Sequence, residues 1–289
     1  MEELGMYLNY LENNESSNHT INNYKIGLMK WFSYQQIKSF DDIVKVSSYD
    51  IEKYDTYLKQ KGLSINTRHA TIYPIKGFYN YLLSHNKVES NPCIVKHKLK
   101  NKKEIYFLSK EEIKIFLDNC KTKRNKALFY LLLDTGMRYC EVSSIKIDDI
   151  KYENGICFIE VLGKGSKLRT LGFSETTYFY LLDYIQHERP QCKNELLFVT
   201  REGELLTNYS INRTIKSIIK KSDLDIPLEQ IHLHCLRHSF CTLKIESGET
   251  INNTQAMMGH ERAETTMKYY MHVDKQKVVK RMSENSMFK

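Results

Sequence analysis

One break constrains every fold open to this chain. Asn91-Pro92 ends a run of amphipathic patterns, and the stretch after it, CIVKHKLKNKKE, carries Lys96, Lys98, Lys100, Lys102 and Lys103 with no acidic residue before Glu104. Proline offers no amide donor and biases its predecessor toward extended backbone, while like charges in series repel. Residues 96–105 therefore read as an extended basic linker. A chain of 289 residues is long enough to bury a core on each side of it. The expected domains are 1–95 and 106–289.

The N-terminal part has helical periodicity throughout. Leu4, Tyr7, Leu8 and Leu11 form one stripe, and Thr20 to Ile37 places Ile21, Tyr24, Leu28, Trp31 and Phe32 on one side. Ser47 to Lys61 repeats the pattern through Ile51, Tyr54 and Leu58. Gly62 ends that helix, and Ser64 caps the next, which runs to about His85. Four helices with short connections make a small bundle, and Pro74 is expected to kink the fourth or to mark its boundary.

The second part mixes helix and strand. SKEE from Ser109 is a capping-box pattern before an apolar helical run. Lys126 to Asp134 reads as a core helix that ends in Thr135-Gly136-Met137-Arg138, and a helical pattern resumes over Tyr139 to Ile145. An arginine between two buried helices is costly unless it faces an anion or the nearby Glu141. Ile156 to Leu162 and Lys167 to Phe173 alternate around Gly163-Lys164-Gly165-Ser166, the signal of a hairpin with Lys164 at its tip. Most hairpin-tip lysines only solubilise. A helix around Leu181-Leu182, a short extended segment from Glu195 to Thr200 and a basic amphipathic helix from Thr207 to Lys221 follow. On that last helix Arg213, Lys216, Lys220 and Lys221 suit either a row of phosphates or plain solvent.

His234 to Tyr270 carries the densest chemistry. His234, Arg237 and His238 share a helical face backed by Leu236, Phe240 and Leu243. Donors converging in this way suit an oxyanion, and phosphate fits best, because guanidinium binds it bidentately and imidazole donates to it or exchanges a proton. His260 follows Gly259, and the adjacent Tyr269 and Tyr270 include a candidate nucleophile. A metal site competes with this reading, since His234, His238 and Cys241 fall at i, i+4 and i+7 with His232 and Cys235 nearby. Arg237 in their midst argues against it.

Composition narrows the classes. A net charge of +8 permits a polyanionic partner without demanding one. Seven scattered cysteines without a CxxC pair read as reduced, packed thiols. No apolar run reaches membrane-spanning length, and the acidic, amphipathic MEELGMYLNYLENNE is no secretory signal, so a cytoplasmic location is expected. There is no P-loop to bind ATP and no carboxylate cluster to hold a metal.

Taken together, TGMRYCEVSSIKIDDI, GKGSKLRTL, HCLRHSFCT, MMGH and TTMKYYMHV resemble in order and spacing the motifs of the tyrosine recombinases, the phage and transposon integrases and Xer-type resolvases. The likeness runs from Thr135 to Val273, and the NP-plus-linker entry into FLSKEE resembles the family's domain junction. It implies a mainly α fold with a small antiparallel β-sheet. A helical, SAM-like core-site DNA-binding domain over 1–95 and an α+β catalytic domain over 106–289 would form a C-shaped clamp on DNA. It makes Arg138 and Arg237 the clamp on the scissile phosphate, Lys164 the acid that protonates the departing 5′ oxygen, His234 the acid/base partner, and His260 a hydrogen-bonding and packing group. The nucleophile is Tyr269 by the family's common spacing of nine residues after that histidine. It is Tyr270, the preferred choice, by a T-M-x-x-Y-x-H-V pattern through Thr266, Met267, His272 and Val273. LRTLGF departs from the family in lacking the proline common after the hairpin.

The implied reaction is site-specific cutting and rejoining of duplex DNA through a 3′-phosphotyrosyl intermediate and a Holliday junction, without a metal or other cofactor. It would serve integration, excision or resolution of a mobile element or replicon dimer. The implied partners are a double-stranded core site with inverted repeats and a homo-tetramer on two such sites, with accessory proteins and no membrane. Lys96, Lys98, Lys100, Lys102, Lys103, Arg213 and Lys216 are the expected DNA contacts, and the tail at about 274–289 is either exchanged between protomers or a frayed basic terminus. The rival reading is a catalytically silent DNA-binding protein on the same fold.

Overall fold

The computed structural model describes residues 2–97, 106–162 and 168–259. The chain forms two compact units, Met1–Lys103 and Glu104–Lys289. The first is a bundle of α1 (Glu2–Asn13), α2 (Asn18–Gln35), α3 (Phe40–Val44), α4 (Ser48–Gln60) and α5 (Ile65–Ser84). Its core is aromatic, with Trp31, Phe78 and Tyr79 fully buried among Leu28, Ile43, Ile51, Ile75 and Leu82.

One expectation for this unit needs correction. Among the described residues there are five helices where the periodicity indicated four, because α3 is too short to show a period. Its signal is a capping box, in which the Asp42 carboxylate accepts the Ser39 amide at 2.9 Å while Ser39 Oγ accepts the Asp42 amide at 3.3 Å. Of the two places open to Pro74, the structure takes the interior of α5 and not a boundary. The missing amide is outweighed by packing: Ile72, Ile75, Phe78 and Leu82 bury on both sides of it, and the Pro74 ring packs where a Cβ on Gly27 would come within 3.2 Å. At the far end of the unit, Asp55 pairs with Arg68 and, at 2.9 Å, with Nε2 of His97, fastening the start of the basic stretch to α4 and α5.

The second unit is mainly helical, with α6 (Lys110–Asp118), α7 (Lys123–Thr135), α8 (Tyr139–Ser144), α9 (Glu175–His187), α10 (Asn208–Lys221), α11 (Leu233–Glu246) and α12 (Ile251–Met258). Between α8 and α9 runs an antiparallel meander of β1 (Ile150–Glu153), β2 (Ile156–Leu162) and β3 (Leu168–Phe173), in the order β1-β2-β3. The mainly α fold with a small antiparallel sheet thus stands, with one strand more than the expected hairpin. Asn154 (φ 51°) and Gly155 (φ 79°) make the tight turn between β1 and β2, and Asn-Gly is the pair whose backbone tolerates two positive φ angles in succession. The Ser109–Glu112 capping box forms as the sequence indicates. Buried Ala127, Leu128, Phe129, Leu131 and Leu132 make α7 part of the main core, with Leu181 and Tyr184 of α9, Ile215 of α10 and Leu236 of α11 in the same cluster. Among the described residues, no helix is long and apolar enough to cross a membrane.

Candidate active site

Three local structures meet at the C-terminal end of α12. The first is the turn after α7. Gly136 closes that helix at φ 61°, a left-handed conformation available to glycine, and its Cα lies so close to Phe240 that a Cβ there would overlap the ring. This sharp stop delivers Arg138 to the N-cap of α8. Its backbone amide donates to Oε2 of Glu141 at 2.7 Å, its Nη1 to Oε1 at 3.1 Å, and its Nη2 to the Gly259 carbonyl at 2.9 Å.

The second structure is α11. Cys235, Leu236, Ser239, Phe240 and Cys241 bury around most of its circumference, and Arg237 is only 3% exposed. A buried guanidinium needs acceptors for its donors. Arg237 donates to the carbonyls of Gly136 and Met258, joining the end of α7 to the end of α12. Leu108 anchors the same helix to the start of the unit, its amide donating to Ser239 Oγ at 2.7 Å.

The third structure is the base of the β2–β3 hairpin. Arg169 shares the inward face of β3 with Leu171 and Phe173 and stands opposite Val161. Its Nη2 donates to Glu141 Oε2 at 2.7 Å and its Nη1 to the Met257 carbonyl at 2.9 Å. Burial holds this guanidinium below its usual pKa, opposed by Glu141 and reinforced by Arg138. A guanidinium stays charged even so, and the shift expresses the cost of confining the cation.

Successive carbonyls of α12, at Met257, Met258 and Gly259, thus each accept from an arginine, Arg169, Arg237 and Arg138 in turn. The last carbonyls of a helix have no intrahelical partner and carry the negative end of its dipole, so cations suit them. Beneath the arginines the Glu141 carboxylate, 2% exposed, holds two of them. The Arg138 side chain is 29% exposed and is the member of the Arg138–Arg237 pair that meets solvent. A guanidinium fixed by a rigid frame suits a tetrahedral oxyanion, which Arg138 can meet from solvent while the buried charge of Arg237 adds to the field of the site.

The expected residues divide as follows. Arg138 and Arg237 are brought together. His234 is exposed on the first turn of α11, its ring centroid 6.2 Å from that of His238 and 6.4 Å from that of His232. Among the described residues no three His, Cys, Asp or Glu side chains are grouped to hold a metal ion. Arg213 and Lys216 are exposed on α10, opposite buried Ile211, Ile215, Ile218 and Ile219. Arg213 also lines, with Lys121 and Lys221, a groove of about 480 Å³. Lys96 is exposed. Lys164, His260, Tyr269, Tyr270, Lys98, Lys100, Lys102 and Lys103 lie outside the described residues.

Arg169 is absent from the sequence expectations, and Glu141 entered them only as an alternative partner for Arg138. The signal for Arg169 was its parity: period-two alternation places it with Leu171 and Phe173 on the core side of the strand, where a charge needs a partner.

The profile of the phage integrase family matches residues 106–277, and that of the phage integrase N-terminal SAM-like domain matches 4–86. Tyrosine recombinase XerD of Oceanobacillus iheyensis is 31% identical over 272 residues, covering 90% of this chain and 89% of that one. Tyrosine recombinase XerD of Listeria monocytogenes serotype 4b is 28% identical over 274 residues, with the same coverage. Among solved structures, the XerH site-specific recombinase in its pre-cleavage complex with a difH substrate superposes with a TM-score of 0.70 at 26% identity, covering 93% of this chain and 80% of that one. The Tn1549 transposon integrase in complex with circular intermediate DNA shares the fold, with a TM-score of 0.74 at 19% identity over 97% and 98% of the two chains. With a catalytic profile over more than half its length and full-length relatives of the same kind, this chain belongs to the phage integrase family, the tyrosine recombinases.

Proposed function

We propose that the protein is a site-specific DNA recombinase, cutting and rejoining duplex DNA through a 3′-phosphotyrosyl intermediate and a Holliday junction. The observation that carries this reading is the meeting of Arg138 and Arg237, remote in sequence, on the adjacent carbonyls of Gly259 and Met258, immediately before His260.

A phenol has a pKa near 10 and is a weak nucleophile in neutral water, so it needs a cationic site. In the proposed step the Tyr270 oxygen attacks the scissile phosphorus, the bond to the 5′ oxygen breaks, and Lys164 supplies the proton that leaves with that oxygen. His234 exchanges the phenol proton, His260 hydrogen-bonds the phosphate, and Arg138 and Arg237 stabilise the added negative charge of the pentavalent transition state. The phosphotyrosyl bond conserves the energy of the broken one until the 5′ hydroxyl of another strand displaces the tyrosine.

On this reading the substrate is a core site with inverted repeats. It is held by the helical domain (1–95), the basic linker (96–105) and the catalytic domain (106–289), in a homo-tetramer on two sites that accessory proteins direct and the 274–289 tail helps to assemble. The likeness to the XerH site-specific recombinase bound to its difH substrate supports site-specific recombination at a DNA core site. The test uses an inverted-repeat core site sought in the DNA that flanks the gene, built into a duplex nicked so that the attacked strand cannot religate. A covalent protein–DNA adduct resistant to detergent is expected. Tight binding without an adduct would instead establish a silent DNA-binding protein.

A further inference from the structure

Glu141 does not need Arg169 for charge balance. Its carboxylate already receives the backbone amide and the guanidinium of Arg138. A second guanidinium on the same buried carboxylate leaves the cluster with excess positive charge, a costly arrangement to retain without a use. The geometry of Arg169 indicates the use. It pairs with Val161, one position inside the last β2–β3 pair, Leu162↔Leu168, at the base of the hairpin, and follows Lys164 by five residues in the sequence. From there its fork spans two separate elements, Glu141 beneath the Arg138 turn and the Met257 carbonyl at the end of α12.

The side chain is 14% exposed, and its Nε is buried with no hydrogen-bond partner among the described residues. Nη1 also occupies the space a side chain at Gly259 would need, since a Cβ there would overlap it. Arg169 is therefore packed as well as bonded, and the hairpin base cannot shift without disturbing both partners.

We infer that Arg169 is a positioning residue that fixes the base of the β2–β3 hairpin to Glu141 and to the end of α12, and thereby sets where the hairpin presents its lysine to the departing 5′ oxygen. This rests on the recombinase reading above. A planar fork is required, because a lysine ammonium at this position can satisfy Glu141 or the Met257 carbonyl but is too compact to span both.

The test separates leaving-group protonation from everything else. The nicked duplex is prepared in two forms, one with the natural 5′ oxygen at the scissile phosphate and one with sulfur in its place. A thiolate departs without a proton, so a defect in placing the acid is felt with oxygen and relieved with sulfur. Arg169→Ala is expected to slow adduct formation by about 30- to 100-fold on the oxygen duplex and by less than about 3-fold on the sulfur duplex. Binding to uncleaved DNA should be unchanged. Equal slowing on both duplexes, or none on either, would overturn the inference, since a merely structural role affects both alike. Should the alanine variant fail to fold, Arg169→Lys is read on the same pair and is expected to show the same asymmetry. No adduct from the unaltered protein would overturn the recombinase reading itself, whereas an adduct indifferent to Arg169 overturns only this inference.

Discussion

Nη2 of Arg138 donates to the Gly259 carbonyl at 2.9 Å, so the residue that opens α8 is bonded to the residue that closes α12. Arg237 does the same for Gly136 and Met258, and Glu141 gathers Arg138 and Arg169 from below. The site is thus a frame of helix ends held by arginines, and its stability and its chemistry depend on the same few side chains.

Removing the carboxylate from this frame should be costly. Glu141→Ala leaves two arginines without their shared anion in a nearly closed site, and a loss of about 3–5 kcal/mol is expected. Glu141→Gln keeps acceptor oxygen and volume and should lose less. Urea unfolding followed by circular dichroism ranks the two, and a stability unchanged in Glu141→Ala would refute the buried-anion account.

Two glycines with positive φ should respond differently to alanine. At Gly62 (φ 78°) nothing lies within 4 Å of the added Cβ, so only the left-handed backbone is penalised, at about 1–2 kcal/mol. At Gly136 (φ 61°) the Cβ also meets Phe240, adding about 1–3 kcal/mol of overpacking. Thermal melts of the two variants should order them accordingly, and Gly136→Ala should also depress cleavage, because Arg138 follows that turn.

The nucleophile is separable from its neighbour. Tyr270→Phe is expected to abolish the covalent adduct on the nicked duplex, and Tyr269→Phe to retain it. The opposite result would assign the reaction to Tyr269.

The linker lysines should act without regard to sequence. Replacing Lys96, Lys98, Lys100, Lys102 and Lys103 by alanine is expected to weaken specific and non-specific DNA binding alike. The slope of log K against log salt should become shallower by about 0.9 for each phosphate that the variant no longer neutralises. A selective weakening of the specific complex would argue for base readout instead.

Thiol chemistry reports the two cores. Burial pushes the Cys93 thiol up to about 11 and the Cys120 thiol up to about 12, so at pH 8 both stay protonated and unreactive in the folded protein. Cys140 is the exposed cysteine and should label first with a thiol reagent. Cys93 and Cys120 should label only as urea unfolds their units, and rapid labelling of either in native buffer would contradict its burial.

Much of the fold was legible because the signals are local. A period of 3.6 marks an amphipathic helix wherever it packs, Ser109 with Glu112 marks a start, and Gly136 marks a stop. Where local signals are too short or leave a choice open, the reading fell short. β1 has only four residues and α3 only five, too few to establish a period, although Asn154-Gly155 marked the turn after β1. For Pro74 the sequence left a kinked interior or a boundary open, and the packing of its neighbours keeps it inside α5.

The sequence by itself determined the chemical inventory and its order along the chain: a lysine-rich stretch between two patterned parts, then Arg138, Lys164, the His234–Arg237 motif, His260 and the paired tyrosines. Spacing within one helix fixes which of these share a face, and that is a matter of backbone geometry alone. Only the tertiary structure decided that Arg138 and Arg237 converge on neighbouring carbonyls, and that Arg169 spans Glu141 and Met257. These contacts join residues distant along the chain. They arise because buried cations and unpaired helix-end carbonyls each have to find a partner, and no local pattern specifies which one.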